Sequence, residues 1–323
     1  MSATSSLSAI PRVSFVVPLY NCLSLTQAML ASLRTTLPSG LVWELILVDD
    51  GSTDETPAWL ATLSETNIRS LRNTSNEGFA TAVNRGAAIA RGELIVLLNN
   101  DLVLTKRWLE PMLGVYRRLG SRAGAIGNRQ TEVSTGLLDH SGIRIDLKGK
   151  PEHMRDGWSG SLFASIRGYR RVIAATGACL LISRKLWMEL NGFDTRFVNG
   201  CEDVDFCLRA LAARKTNAVA LGSTVAHHVS SSPGRKLRDE ENTYRLTLKW
   251  RDTLAILAAR RWCWDFLSRE WTHPREPAGA LDAARALAFG LHLRPQPPAV
   301  ALAGMSAAIE HEFSRWRELG LAG

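Results

Sequence analysis

A chain of 323 residues with 46% hydrophobic content has enough apolar surface for one large core plus an appendage, which excludes a disordered chain. Its net charge of +8 suits anionic partners such as nucleotide phosphates, nucleic acid or acidic lipid headgroups, without choosing among them. Five cysteines without a CxxC pair argue against a zinc site or a disulfide framework and suit a reducing cytoplasm; the N-terminus has no signal-peptide pattern, and Val172–Ile182, the longest apolar run, is too short to span a bilayer, so an integral membrane protein is not expected.

Val13–Val17 reads as a first strand stopped at Pro18, with Tyr20-Asn21 turning the chain at its end. Leu25, Met29, Leu30, Leu33 and Leu37 then line one face of a helix closed by Pro38-Ser39-Gly40. Glu44–Val48 is a second buried strand running into Asp49-Asp50-Gly51-Ser52-Thr53-Asp54, where Ser52 or Thr53 is a natural N-cap for the next helix. Ile68–Leu71 is a short third strand. A helix opened by Asn76-Glu77-Gly78-Phe79 ends at Arg91-Gly92, where glycine suits a left-handed C-cap. Leu94–Leu98 is an aliphatic strand without polar alternation, the pattern of burial on both faces, and it delivers Asn99-Asn100-Asp101 to its carboxyl end. Alternating strands and helices over residues 12–101 predict a doubly wound α/β unit. Right-handed crossovers then bring Tyr20, Asp49, Asp50 and Asp101 to one sheet edge.

A helix over Lys106–Leu119 and a strand over Ala123–Gly127 follow. Residues 128–172 have poor periodicity and read as a hairpin or an acceptor-facing loop. Val172–Ile182 is small in its middle, a strand or bend open to close approach by a ligand. Lys185–Leu190 is a short helix, and Glu202-Asp203 begin an amphipathic one in which Asp205 pairs with Arg209 four residues on. From about Ser230 the texture changes to a Ser/Gly-rich loop bearing Arg235, Lys236 and Arg238, then to helices rich in Trp, Arg and Ala. The expected domains are therefore 1–230 and 231–323.

Taken together, Pro18-Leu19-Tyr20-Asn21, Val48–Asp54, Asn76-x-Gly78, Asn99-Asn100-Asp101, Glu202-Asp203 and His227-His228 resemble family 2 glycosyltransferases, most closely the bacterial rhamnosyltransferase-like branch acting on surface polysaccharides. The resemblance implies a GT-A fold: a doubly wound, mostly parallel sheet flanked by helices, here with a C-terminal helical extension. It implies inverting sugar transfer from a dTDP- or UDP-sugar to a hydroxyl of a cell-surface glycan or lipid-linked precursor. Pro18, Tyr20, Asn21, Asp49, Asp50, Asn76, Gly78, Asn84 and Asn100 would hold the nucleotide. Asp101 and His227 would hold a divalent metal, Mg²⁺ or Mn²⁺, although the family's triplet usually has an acidic residue where Asn99 stands. Asp203, or its neighbour Glu202, would be the general base, both lying at a helix N-terminus whose dipole favours the ionised form.

Two rivals stand beside this reading: a nucleotide-sugar-binding module without activity, and a sugar-phosphate nucleotidyltransferase, whose Gly-rich basic loop has no counterpart in Pro18–Asn21. The partners expected are the donor and a saccharide acceptor, and not nucleic acid. Location is expected to be cytoplasmic, with oligomerisation open. Peripheral membrane contact through Trp250, Trp262, Trp264 and Trp271 and the nearby arginines is set against their use as core or dimer contacts.

Overall fold

The computed structural model describes residues 12–155, 166–228, 238–272 and 278–321. They belong to two compact units, one of Met1–Ile143 and His153–Arg235, the other of Arg144–Glu152 and Lys236–Gly323.

The first unit is built on a mixed sheet. Its strands are β1 (Val13–Leu19), β2 (Trp43–Asp49), β3 (Ile68–Arg72), β4 (Leu94–Leu98), β5 (Leu102–Leu104), β6 (Ala123–Glu132), β7 (Leu138–His140), β10 (Tyr169–Arg171), β11 (Cys179–Ser183) and β12 (Thr216–His227), with the short hairpin β8 (Ile143–Ile145) and β9 (Pro151–His153) outside the sheet. The order is β10-β12-β6-β11-β4-β1-β2-β3, with β5 on β12 and β7 on β6. Pairing is parallel across β4-β1-β2-β3 and between β6 and β12; β11 joins β4 to β6 antiparallel to both. These directions put the carboxyl ends of β1, β2, β4 and β12 on one edge, together with the residues that enter β11.

Alternation along β1 explains the layers. Val13, Phe15, Val17 and Leu19 share a core with Met29, Leu30 and Leu33 of α1 (Leu23–Thr36) and Leu109, Met112 and Val115 of α4 (Leu109–Leu119). Val16 points the other way, toward α3 (Phe79–Ile89), where a Cβ on Gly86 would lie 2.5 Å from Val16 and 2.9 Å from Val48. Helices therefore cover both faces. Short helices α2 (Thr56–Leu60) and α5 (Arg184–Glu189) and the amphipathic α6 (Glu202–Ala212) complete the unit.

Several local expectations are corrected. Pro18 does not stop β1 but lies within it: Leu19 O accepts from Asp50 N, so the Pro18 nitrogen faces the β4 side, where pairing ends at Val16 and no donor is required. Gly92 is not a left-handed cap. It is a glycine because a Cβ there would sit 2.7 Å from Ser14 N, and its own N–H donates to Ser14 Oγ at 2.8 Å. Ser52 and Thr53 do not cap α2. Asp54 Oδ1 accepts from Thr56 N, while Ser52 Oγ accepts from Asn21 N. The helix expected from Lys106 begins at Leu109.

In the second unit, α7 (Asp239–Thr272) is broken at Trp250, whose φ of −121° is not helical, and is followed by α8 (Ala278–Gly290) and α9 (Ala299–Glu318). The hairpin tip Arg144–Glu152, from the stretch read as a hairpin or an acceptor-facing loop within the first domain, belongs with these helices. Lys150 Nζ lies 2.8 Å from the buried Glu312 and 5.1 Å from the Trp316 ring centre, and Arg261 and Arg144 both reach Glu152. The boundary expected at 230 stands at Arg235/Lys236. Trp262 stacks on Phe266 and fills the space beside Gly304, Trp250 marks the kink, and Trp264 is 44% exposed. Among the described residues no helix is long and apolar enough to cross a membrane.

Candidate active site

The loops after β1 and β2 are laced together. Asn21, in the left-handed region with φ 54°, accepts on Oδ1 from Thr53 N at 2.8 Å and donates its own N–H to Ser52 Oγ at 2.7 Å. Asp54 Oδ2 accepts from Leu23 N, the first residue of α1. The Asp54 carboxyl is held below the usual carboxylate range: burial acts to raise it, and the hydrogen bonds from Thr56 and Leu23 outweigh that. This lacing leaves Tyr20 48% exposed at the end of β1.

Both members of the Asp49-Asp50 pair are buried and already engaged by the chain. Asp49 Oδ1 accepts from Ser52 N, and Oδ2 lies 3.2 Å from Arg72 Nε. Asp50 accepts from Asn73 Nδ2 at 2.6 Å, Glu77 N at 2.9 Å and Gly78 N at 2.8 Å, and so shapes the loop that opens α3. Gly78 has φ 91°, a conformation that requires glycine, and Asn76 Oδ1 also faces its N–H at 3.2 Å. Asn84 sits deeper: both ends of its amide are met by the backbone of Phe193, joining α3 to the segment that leads to α6.

At the end of β4, Asn99 N donates to Ala178 O and Asn100 Nδ2 donates to Thr26 Oγ1 at 3.0 Å, which tethers the triplet to α1. The register His227↔Leu102 between β12 and β5 carries His227 to the same place, and its Nε2 lies 3.1 Å from Asp101 Oδ1. His228 N donates to Asp101 O. Nε2 of His227 and Oδ1 of Asn99 are buried and accept or donate no hydrogen bond among the described residues. The carboxylate oxygen of Asp101 and the imidazole nitrogen of His227 form a donor pair suited to a hard or borderline divalent cation. Among the described residues no group of three or more His, Cys, Asp or Glu side chains gathers as a complete metal cage.

Glu202 and Asp203 open α6. Glu202 is buried and folds back to accept from Gly200 N at 2.7 Å, while the half-buried Asp203 accepts on Oδ2 from Gly177 N at 2.7 Å. Asp205 pairs with Arg209 at 2.8 Å, as its spacing predicted. The Asp203–Gly177 bond brings the bend before β11 into the site, a link that no local pattern in the sequence announces. Arg72 and Asn73, the partners of the carboxylate pair, were likewise missed; only the register of β3 beside β2 places them. The basic loop residues Arg235 and Lys236, and the side chain of Trp271, lie outside the described residues.

The profile of the family described as "Glycosyl transferase family 2" matches residues 14–177, just over half of the chain. The chain belongs to glycosyl transferase family 2. The chain is 29% identical over 231 residues to the O-antigen biosynthesis protein RfbC of Myxococcus xanthus, and 28% identical over 234 residues to an uncharacterised protein of Sinorhizobium fredii. These matches cover 69% and 70% of this chain but 18% and 25% of those relatives, so the chain spans a quarter or less of their length. It is 27% identical to the N-acetylglucosaminyl-diphospho-decaprenol L-rhamnosyltransferase of Mycobacterium tuberculosis, over 71% of this chain and 78% of that one. Among solved structures, GalNAc-T7 with UDP, GalNAc and Mn²⁺ has a TM-score of 0.61 at 16% identity, covering 78% of this chain and 51% of its own. The mannosyltransferase PcManGT of Pyrobaculum calidifontis, in complex with GDP-Man and Mn²⁺, has a TM-score of 0.54 at 18% identity, covering 94% and 86%. This family 2 member therefore has the GT-A fold, as its motifs predicted.

Proposed function

We propose that this protein transfers a sugar, with inversion, from a dTDP- or UDP-sugar to a hydroxyl of a cell-surface glycan or its lipid-linked precursor. The observation that carries the reading is the meeting of Asp101 Oδ1 and His227 Nε2 at 3.1 Å on the edge shared by the β1 and β2 loops. Two relatives point the same way by name, an O-antigen biosynthesis protein and a rhamnosyltransferase whose acceptor is diphospho-decaprenol-linked.

Asp101 and His227, whose Oδ1 and Nε2 lie 3.1 Å apart, fit a divalent cation, and Mn²⁺ is present in GalNAc-T7 and PcManGT. Bound there, the cation supplies Lewis-acid neutralisation of the departing diphosphate. Tyr20, exposed at the end of β1, holds the nucleotide together with Pro18, Asn21, Asp49, Asp50, Asn76, Gly78 and Asn100, with Asn84 fixing α3 behind them. Asp203 is the general base that removes the acceptor hydroxyl proton. Its half-burial supports it over Glu202, which is buried and turned toward Gly200, and the Gly177 N–H orients its carboxylate at the start of α6.

Calorimetric titration of UDP and dTDP with Mn²⁺, Mg²⁺ or EDTA tests the reading. Cation-dependent binding by wild type that Asp101→Ala reduces about tenfold or more supports it. Failure of both nucleotides under every condition removes the donor assignment. Binding without turnover on any saccharide acceptor favours the inactive binding module, a rival that the amide at Asn99 keeps in view.

A further inference from the structure

His140 is absent from every motif above, yet it bonds to the segment that touches Asp203 and Asn99. It ends β7, opposite Gln130 of β6, and is buried without measurable exposure. Its Nε2 accepts from two backbone donors, Gly142 N at 3.2 Å and Thr176 N at 3.3 Å. An imidazole nitrogen that accepts carries no proton, so the ring is neutral with its proton on Nδ1. Burial, followed by the neighbouring His153, His227 and Arg170 charges, holds the ring well below the usual histidine range, in keeping with that form. Nδ1 itself is buried with no hydrogen-bond partner among the described residues. A buried donor left unmade is costly, and an apolar side chain of similar size would avoid the cost. What the imidazole offers in return is its acceptor at Nε2.

Thr176 opens the short segment that touches both halves of the site. One residue on, Gly177 N donates to Asp203 Oδ2 at 2.7 Å; two residues on, Ala178 O accepts from Asn99 N at 2.8 Å. Thr176 Oγ1 in turn accepts from Ala178 N at 3.3 Å. On the near side, the Ile143–Ala174 bridge holds the start of the segment but leaves the Thr176 N–H pointing inward.

From this chain of contacts we infer that His140 is a positioning residue for sugar transfer: by accepting from Thr176 N it sets the 174–178 bend, and through that bend the Asp203 carboxylate and the Asn99-Asn100-Asp101 triplet. The inference rests on the proposed role of Asp203 for its effect on turnover, but the bend itself is testable without it. His140→Leu fills the volume and removes the acceptor. His140→Gln restores an acceptor near the position of Nε2. Backbone amide exchange, UDP or dTDP affinity and donor turnover are measured on both.

The expected result is about fivefold to tenfold faster exchange at 175–178 in His140→Leu with exchange in β1, β2 and β4 unchanged. Its kcat falls about tenfold to a hundredfold at a donor KM within a factor of about two, as expected for a displaced base. His140→Gln recovers most of both. Unchanged exchange at 175–178 in His140→Leu, or a glutamine variant as impaired as the leucine one, overturns the inference and leaves His140 as packing. If His140→Leu does not fold, His140→Asn, whose shorter amide falls short of Thr176 N, takes its place under the same outcomes. Exchange at the bend and the rate of Asp203→Asn are separate readouts, so the failure of Asp203 as base and the failure of His140 as its support are distinguishable.

Discussion

A buried carboxylate is kept for what it binds or for what it holds, and Asp50 shows the second use. Its oxygens accept from Asn73 Nδ2, Glu77 N and Gly78 N, so the ring of donors that opens α3 closes on this one side chain. Asp50→Ala strands those donors and is expected to cost about 2–4 kcal/mol, read as a lower urea midpoint at an unchanged slope. A variant with wild-type stability and lost nucleotide affinity would instead make Asp50 a direct ligand of the base. The motif Asp49-Asp50-Gly51 was legible as a loop at the sheet edge, but which way each carboxylate turns was not. That depends on Arg72 and Asn73, which arrive through the parallel register of β3 on β2.

At the scale of the element, α3 illustrates how a helix is seated by what one residue lacks. Gly86 lies where a Cβ would come within 2.5 Å of Val16, 2.9 Å of Val48 and 3.5 Å of Ile46. Gly86→Ala is expected to destabilise by about 1–3 kcal/mol in thermal unfolding despite alanine's better helix propensity, because the well-packed β1–β2 face cannot yield. A neutral or stabilising alanine would show that the helix shifts freely on the sheet. The period of apolar residues announced α1 and α6 because amphipathicity is a local property. Residues 128–172 were read as a hairpin or an acceptor-facing loop, and β8 and β9 form a hairpin there; β7 and β10, three residues each, are too short for alternation to register.

For the molecule as a whole, the second unit is fastened by ion pairs that join distant parts of the chain. Glu152 receives Arg144 and Arg261, and hydrogen bonds from both pull its carboxyl from 4.5 down to about 2. A carboxyl depressed on folding contributes stability that is present above its unfolded value and is lost as pH falls through the folded one. The Glu152 contribution is therefore intact above about pH 4.5 and gone near pH 2. Because the side chain is 40% exposed, solvent screening keeps it to about 1 kcal/mol or less. Wild type is expected to melt above Glu152→Gln at pH 6, with the gap closing as the buffer is taken toward pH 2.5; a gap of constant size would mean that the pair is electrostatically idle. Charge pairing at this separation has no sequence signature, which is why the domain boundary was placed in the Ser/Gly-rich loop alone.

By itself the sequence determined the α/β class, the strands whose aliphatic runs demand burial, the sheet edge on which their polar ends gather, and the family. The class, the strands and the edge follow from local composition and spacing, which act before any long-range contact forms; the family came from the resemblance of its motifs to those of known members. Tertiary structure alone decided which groups face one another: Asp101 with His227 through the β5–β12 register, Asp203 with Gly177, and His140 with Thr176. Those pairings join residues separated by 126, 26 and 36 positions; they are set by strand register and by the requirement that buried polar groups find partners, neither of which a linear pattern carries.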